Sequence, residues 1–415
     1  MPRPAFGIRR IVLAAWMCSG VLLLTAAAVP AAGPLDESLA TLKKVGHHAA
    51  GNRAAVGAWS VVAAADAAQL PTLLAALDDA GPLAANYLRA AIDAVAERAL
   101  AQGQKLPQAA LERLILDTSH SPLARRLAYD WLAKVDPAAA ERMIPRFLND
   151  PSVELRRDAV ARLTSEGLQL VGRGDAKGAA PQQPATAEPQ LAQGIARLRR
   201  AFDAARDLDQ IAQLDKELTG LKQKVDLPRH FGFVTTWRVV GPFDNRNGVG
   251  FDAVYPPEQS VDFAARYPGK AADVAWQAYT TSDREGKVDL NQVLGKDLGC
   301  AAYAAAEFYS PRRQDVDLRL ASACANKLWL NGKLIDRHKI YHTGASIDQY
   351  QSHATLEPGR NLILLKICQN EQTQSWAQDW GFQFRVCDSV GTAILSSGVQ
   401  PTARHEPSES RDETK

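Results

Sequence analysis

Two tryptophans near the end of a polar stretch are where this sequence could do recognition chemistry. Residues 369–379 read Gln-Asn-Glu-Gln-Thr-Gln-Ser-Trp-Ala-Gln-Asp, with Trp376 inside, Trp380 directly after, and Asn370, Gln374 and Asp379 alongside. A pyranose ring has an apolar face and a fringe of hydroxyls, so a site for it needs a flat aromatic surface and planar polar groups. A second stretch, 336–353, adds Arg337, His338, Tyr341, His342, Asp348 and Tyr350. Both stretches separate apolar runs, the position from which loops on a rigid scaffold usually bind. Trp380 leads into an aromatic run and therefore has a second reading, as a core residue.

Other chemistries find less. Segment 244–252, Asp-Asn-Arg-Asn-Gly-Val-Gly-Phe-Asp, offers Asp244, Asn247 and Asp252 as oxygen ligands for a structural calcium. It lacks the spacing and closing Glu of an EF-hand loop, and a turn held by its own Asn and Asp side chains is the alternative. His338 and His342 are four apart, yet no Glu follows the first as a zincin requires, and His47-His48 has no acidic or cysteine partner in pattern. A glycosidase needs two facing carboxylates, and no pair of acids sits in such a motif. Phosphate-cradling glycine loops and Gly-x-Ser-x-Gly are absent, so no catalytic residue is assigned and no other cofactor is expected.

Four cysteines, Cys300, Cys324, Cys368 and Cys387, fall in the C-terminal half without a Cys-x-x-Cys pair, which disfavours zinc. In an exported chain an even number suggests disulfides, of which three connectivities are possible. Cys300 opens a strand and Cys387 closes one, so the expected pairs are Cys300–Cys387 and Cys324–Cys368; buried free thiols are the alternative.

The elements that must position these residues begin after residue 32. Arg3, Arg9 and Arg10 precede an apolar run from Ile11 to Val29 and small residues at Ala26-Ala27-Ala28 and Pro30-Ala31-Ala32, the order of a secretory signal peptide. An uncleaved N-terminal anchor is the rival, because the run approaches the roughly 20 residues of a membrane helix. Of 48 basic residues in the 415-residue chain, those three lie in the leader, leaving 45 against 46 acids. So balanced a chain, without a basic stripe, speaks against nucleic acid as a partner.

Residues 36–168 are Ala- and Leu-rich with helical spacing, and 169–190 hold little to bury and read as a flexible linker. Its Arg173-Gly174-Asp175 carries no specificity. Residues 191–226 return to helix, with apolar residues from Ile195 to Leu221. From 228 to 397 the texture is that of strands, the clearest at 236–240, 302–309, 315–321, 327–330, 361–367 and 381–386, with turn signals at Asn331-Gly332 and Pro358-Gly359. Residues 398–415 read as a disordered tail. The whole is expected to be an α+β multidomain chain.

Two resemblances sharpen this. Arg89, Arg126 and Arg157 each begin a segment with Ala two positions on and apolar residues three and six positions on, at spacings of 37 and 31 residues. With Asp150-Pro151 expected to cap and open the last helix after an amphipathic helix over 138–148, this region resembles HEAT repeats, an α-α superhelix; an ordinary helical bundle is the alternative. In the C-terminal half, the strand ending in Asn331-Gly332-Lys333, the Pro358-Gly-Arg-Asn361 turn with its apolar strand, and Trp380-Gly-Phe-Gln-Phe-Arg385 are similar to the galactose-binding-like jelly roll, an antiparallel β-sandwich, found beside family 2 glycoside hydrolase domains. That resemblance implies a sugar-binding module. The combined reading is an exported, non-catalytic binding or scaffold protein, secreted or in the periplasm or cell envelope. Its jelly roll would bind carbohydrate or a cell-envelope partner, and its helical repeats would meet protein. The alternative is a secreted hydrolase, related to glycoside hydrolases, with an unrecognised active site. No membrane span is expected once the signal is cleaved.

Overall fold

A computed structural model of the chain describes residues 33–48, 50–173 and 188–398. The leader, residues 174–187 of the expected linker, and the tail beyond 398 lie outside it. Helices fill the N-terminal half and antiparallel sheets the C-terminal half, and the chain divides into two compact units between Leu106 and Pro107.

The first unit holds α1 (Pro34–Lys43), α2 (Asn52–Ala63), α3 (Leu70–Ala75) and α4 (Pro82–Ala101). Leu42, Val62, Leu73, Leu88, Ile92 and Val95 are among its fully buried residues. The Arg98 guanidinium caps the end of α2 by donating to the carbonyls of Ala63 and Ala65.

In the second unit, α5 (Gln108–Leu116), α6 (Pro122–Val135), α7 (Pro137–Met143), α8 (Val153–Leu170), α9 (Glu188–Ala204), α10 (Leu208–Gly220) and α11 (Leu227–Phe231) come first. Ala91 in the first unit and Ala128 and Ala159 in the second are all buried. The expected cap does not form as read. Ser152, whose Oγ accepts from Leu155 N at 3.4 Å, is the N-cap of α8, so Pro151 lies before the helix. Asp150 is instead buried against Arg125, accepting from its Nη1 and Nη2 at 2.7 and 2.6 Å, and is a tertiary clamp between α6 and the turn before α8. The helix expected over 138–148 ends at Met143 and continues as a 3-10 turn over Ile144–Phe147. Pro145 has no N–H to give to the α-helical ladder.

Twelve strands follow among the described residues: β1 (Thr236–Asp244), β2 (Arg266–Pro268), β3 (Asp273–Ala275), β4 (Gln277–Thr280), β5 (Lys287–Asp289), β6 (Cys300–Ser310), β7 (Gln314–Ala321), β8 (Ala325–Leu330), β9 (Lys333–His338), β10 (Tyr350–Leu356), β11 (Gly359–Gln369) and β12 (Gly381–Cys387). A six-stranded sheet runs β4-β1-β6-β11-β8-β9 and a four-stranded sheet β10-β7-β12-β5, with β2 and β3 paired separately. Period-two alternation sorts the faces. Ile363, Leu365 and Ile367 share one core with Leu318, Leu320, Phe382 and Phe384 from the other sheet. Leu364, Trp329, Tyr303 and Phe243 pack on the opposite side of the six-stranded sheet, under the segment that carries Phe251 and Tyr267. Asn331 (φ 51°) and Gly332 (φ 79°) make the two-residue β8–β9 turn, as their types require.

The expected disulfides are not formed: Cys300, Cys324, Cys368 and Cys387 are buried free thiols. The topology explains it. The Trp380 indole reaches Ile367 O at 3.2 Å, which sets the start of β12 near the Cys300 end of β11, and Cys387 lies six residues further down, about 20 Å at strand rise. Cys368 shares a face with its register partner Ala325, whereas neighbouring Cys324 points to the core on the other face.

Candidate functional site

Four chain segments are tied together at one end of the two sheets. Asn245 N donates to Gly299 O at 2.9 Å, and Gly299 N donates to Asn370 O at 2.9 Å. Asn245 Nδ2 donates to Tyr341 Oη at 3.2 Å and to Gln369 O at 2.8 Å. His342 Nε2 lies 3.0 Å from Asn370 Oδ1, which also accepts Gln372 N at 3.1 Å. A 3-10 turn over Ser375–Ala377 follows, with Ala377 N donating to Gln374 O at 2.9 Å. Ala377 is buried, and the tight turn throws its neighbour Trp376 outward to 64% exposure. The His342 ring stands edge-on to that indole, centroids 5.4 Å apart.

Trp376, Asn370 and Tyr341 are thus brought together, with His342 joining them. Gln374 is exposed at the start of the same turn. The other expected residues go elsewhere. Trp380 is 1% exposed and fills the shared core, its indole N–H bonded to Ile367 O; it borders the same cavity as Asp379 and does not join the Trp376 surface. Arg337 sits on β9 opposite Lys327, on the side of Asp252. Asp379 is exposed and lines a cavity to which Trp376 does not contribute. His338 stacks on Tyr350 at 3.8 Å within strands β9 and β10. Asp348 is a structural anchor: it accepts Arg385 Nε at 2.6 Å and Arg319 Nη1 at 2.9 Å, and those two guanidiniums lower its pKa against the opposing effect of burial.

Of the three residues considered for calcium, Asp244 and Asp252 are in ion pairs. Arg246 binds the Asp244 carboxylate at 2.9 and 2.6 Å and holds its pKa down at about 2, and Lys339 binds Asp252 at 2.7 Å. Asn247 takes a left-handed φ of 57° and donates its backbone N–H to Glu371. Among the described residues no group of three or more His, Cys, Asp or Glu side chains is placed to hold a metal ion.

The sequence reading missed Asn245, which stitches the site, and Gln369. Both are buried, and Asn245 Oδ1 and both Gln369 amide atoms take no hydrogen bond among the described residues. Buried polar atoms without partners are rare, so this end of the sheets has polar capacity its own chain does not use. Asn245 was visible only as part of a turn-rich run, and Gln369 only as the last residue before a loop.

No family model matches the chain, and no curated protein does. Solved structures with partial likeness include a family 35 carbohydrate binding module from Clostridium thermocellum, at 15% identity over 22% of this chain and 78% of that one, TM-score 0.15. A beta-glucuronidase from Faecalibacterium prausnitzii is 18% identical over 34% of this chain and 23% of its own, TM-score 0.21. A beta-glucosidase from Kluyveromyces marxianus in complex with glucose is 10% identical over 71% of this chain and 36% of its own, TM-score 0.27. The chain therefore spans about a quarter to a third of these two enzymes, and at such TM-scores the likeness carries no argument about fold or ligand.

Proposed function

We propose that this is an exported, non-catalytic binding protein whose two sheets form a galactose-binding-like jelly roll taking carbohydrate on Trp376, while its helical segments, HEAT-like in pattern, serve protein contacts. The observation that carries the reading is the Trp376 indole, exposed and set against a His342–Asn370 pair. A sugar face stacks on such a surface and its hydroxyls meet the imidazole and amide. The unspent polar atoms of Gln369 and Asn245 at the same end favour a polar ligand over an apolar one. The test is a glycan array probed with the intact chain. Selective retention that falls about tenfold or more in Trp376→Ala supports the reading. Retention unchanged by that substitution, or turnover of a polysaccharide, overturns it.

A further inference from the structure

A cavity of about 690 Å³ opens between helices α10 and α11 and strands β5 and β12. That is the size of a small-molecule site. Leu208 and Ile211 of α10, with Phe231 and Phe233, give it an apolar wall. Its charge is one-sided, because four carboxylates, Asp215, Glu285, Asp289 and Asp379, face a single lining cation, Lys287.

Two of the acids are already matched. Arg284 pairs with Asp215 at 2.7 Å, and Lys287 pairs with Glu285 at 2.5 Å. Among the described residues the Asp289 carboxylate accepts only a backbone N–H, from Asn291 at 2.9 Å. Asp379 takes no hydrogen bond or ion pair through its carboxylate among the described residues, and its neighbour Trp380 is joined to the Asp289 strand by Leu290 N to Trp380 O at 2.8 Å. Gln383, only 7% exposed, also lines the cavity; it donates Nε2 to Glu285 O, and its Oε1 accepts nothing among the described residues. One of the two N–H donors of the Asn291 amide goes to Gln378 O at 3.1 Å.

The cavity therefore offers net negative charge and an excess of acceptors beside an apolar wall, its side-chain donors being chiefly Lys287 and Asn291. A neutral sugar, which needs both, is poorly served, and an anion is repelled. We propose that this cavity binds a small molecule that joins an apolar body to a primary ammonium group, the ammonium meeting Asp289 and Asp379. Its three N–H donors and its charge are what these groups lack.

The experiment titrates the full chain by calorimetry with phenethylammonium and with its neutral isostere 2-phenylethanol. The amine is expected to bind at least about tenfold tighter than the alcohol, and Asp379→Asn to remove that preference while leaving alcohol binding unchanged. Ala212→Phe, filling the cavity from the exposed side of α10, is expected to abolish binding of both. Equal affinities for the two probes, no binding of the amine at millimolar concentration, or an amine preference that survives Asp379→Asn overturns the proposal. None of these outcomes depends on glycan retention at Trp376.

Discussion

Replacing Glu258 by glutamine is expected to destabilise the two-sheet half by about 3–5 kcal/mol. Lys366 is fully buried on the outer side of the six-stranded sheet, and its ammonium makes three contacts: Ala253 O and Glu258 Oε1, each at 2.7 Å, and Phe251 O at 3.3 Å. The rings of Tyr255 and Tyr303 stand 5.2 and 5.5 Å away. A unit charge pair at 2.7 Å is worth about 6 kcal/mol at an effective dielectric constant of about 20. Glutamine keeps the shape and a neutral hydrogen bond, so only part of that is lost. Burial already lowers the Lys366 pKa below 10.5, and losing the carboxylate lowers it further. The folded ammonium then gives up its proton before the unfolded chain does as pH rises, so the variant regains stability in alkali. Urea unfolding at neutral and alkaline pH measures both effects, and Glu258→Gln combined with Lys366→Met is expected to recover much of the loss. A Glu258→Gln chain within about 1 kcal/mol of the parent at neutral pH would refute the reasoning.

Three further expectations follow from the same geometry. Burial, then the neighbouring Arg206 cation, lowers His230 from 6.5 to about 4; as pH falls from 6.5 towards 4 the unfolded chain takes the proton first, so up to about 3 kcal/mol is lost across that window. Melting curves in which His230→Gln shows the same acid slope as the parent would remove this assignment. Burial raises the thiols of Cys324 and Cys368 to about 12 and that of Cys387 to about 11, so with Cys300 they are expected to resist a thiol reagent in the native chain and all to react after denaturation; disulfide-linked peptides in a non-reducing digest would contradict this. Trp380→Ala is expected to cost about 3–5 kcal/mol and Trp376→Ala under about 0.5 kcal/mol in thermal or chemical unfolding, and comparable losses would mean that the two indoles are misplaced.

The long strands were legible because both faces of β6, β8 and β11 are covered, giving mainly apolar runs, broken by Glu307 in β6, Asn326 and Lys327 in β8 and Lys366 in β11, and bounded by Gly, Asn and Pro. β9 and β10 were not, since Lys333–His338 and Tyr350–Leu356 lie at sheet edges with polar, half-exposed side chains and no hydrophobic alternation. The break between α9 and α10 at 205–207 had a sequence signal that the single-helix reading passed over: Ile195, Leu198 and Phe202 share one face of a 3.6-residue helix, whereas Ile211, Leu214 and Leu218 fall near the opposite face. At the candidate site, residue types could nominate Trp376 and Trp380 equally. Their separation rests on a long-range contact, the Trp380 indole with Ile367 O, that no local pattern encodes. The cysteine pairing failed for a related reason: the order of strands in a sheet, and the face on which each thiol emerges, are properties of tertiary register.

The carbohydrate reading is tested most directly by following indole N–H resonances during titration with a glycan retained on the array. The account predicts a saturable shift of the Trp376 resonance with that of buried Trp380 unmoved. A glycan that binds while Trp376 stays still contradicts it.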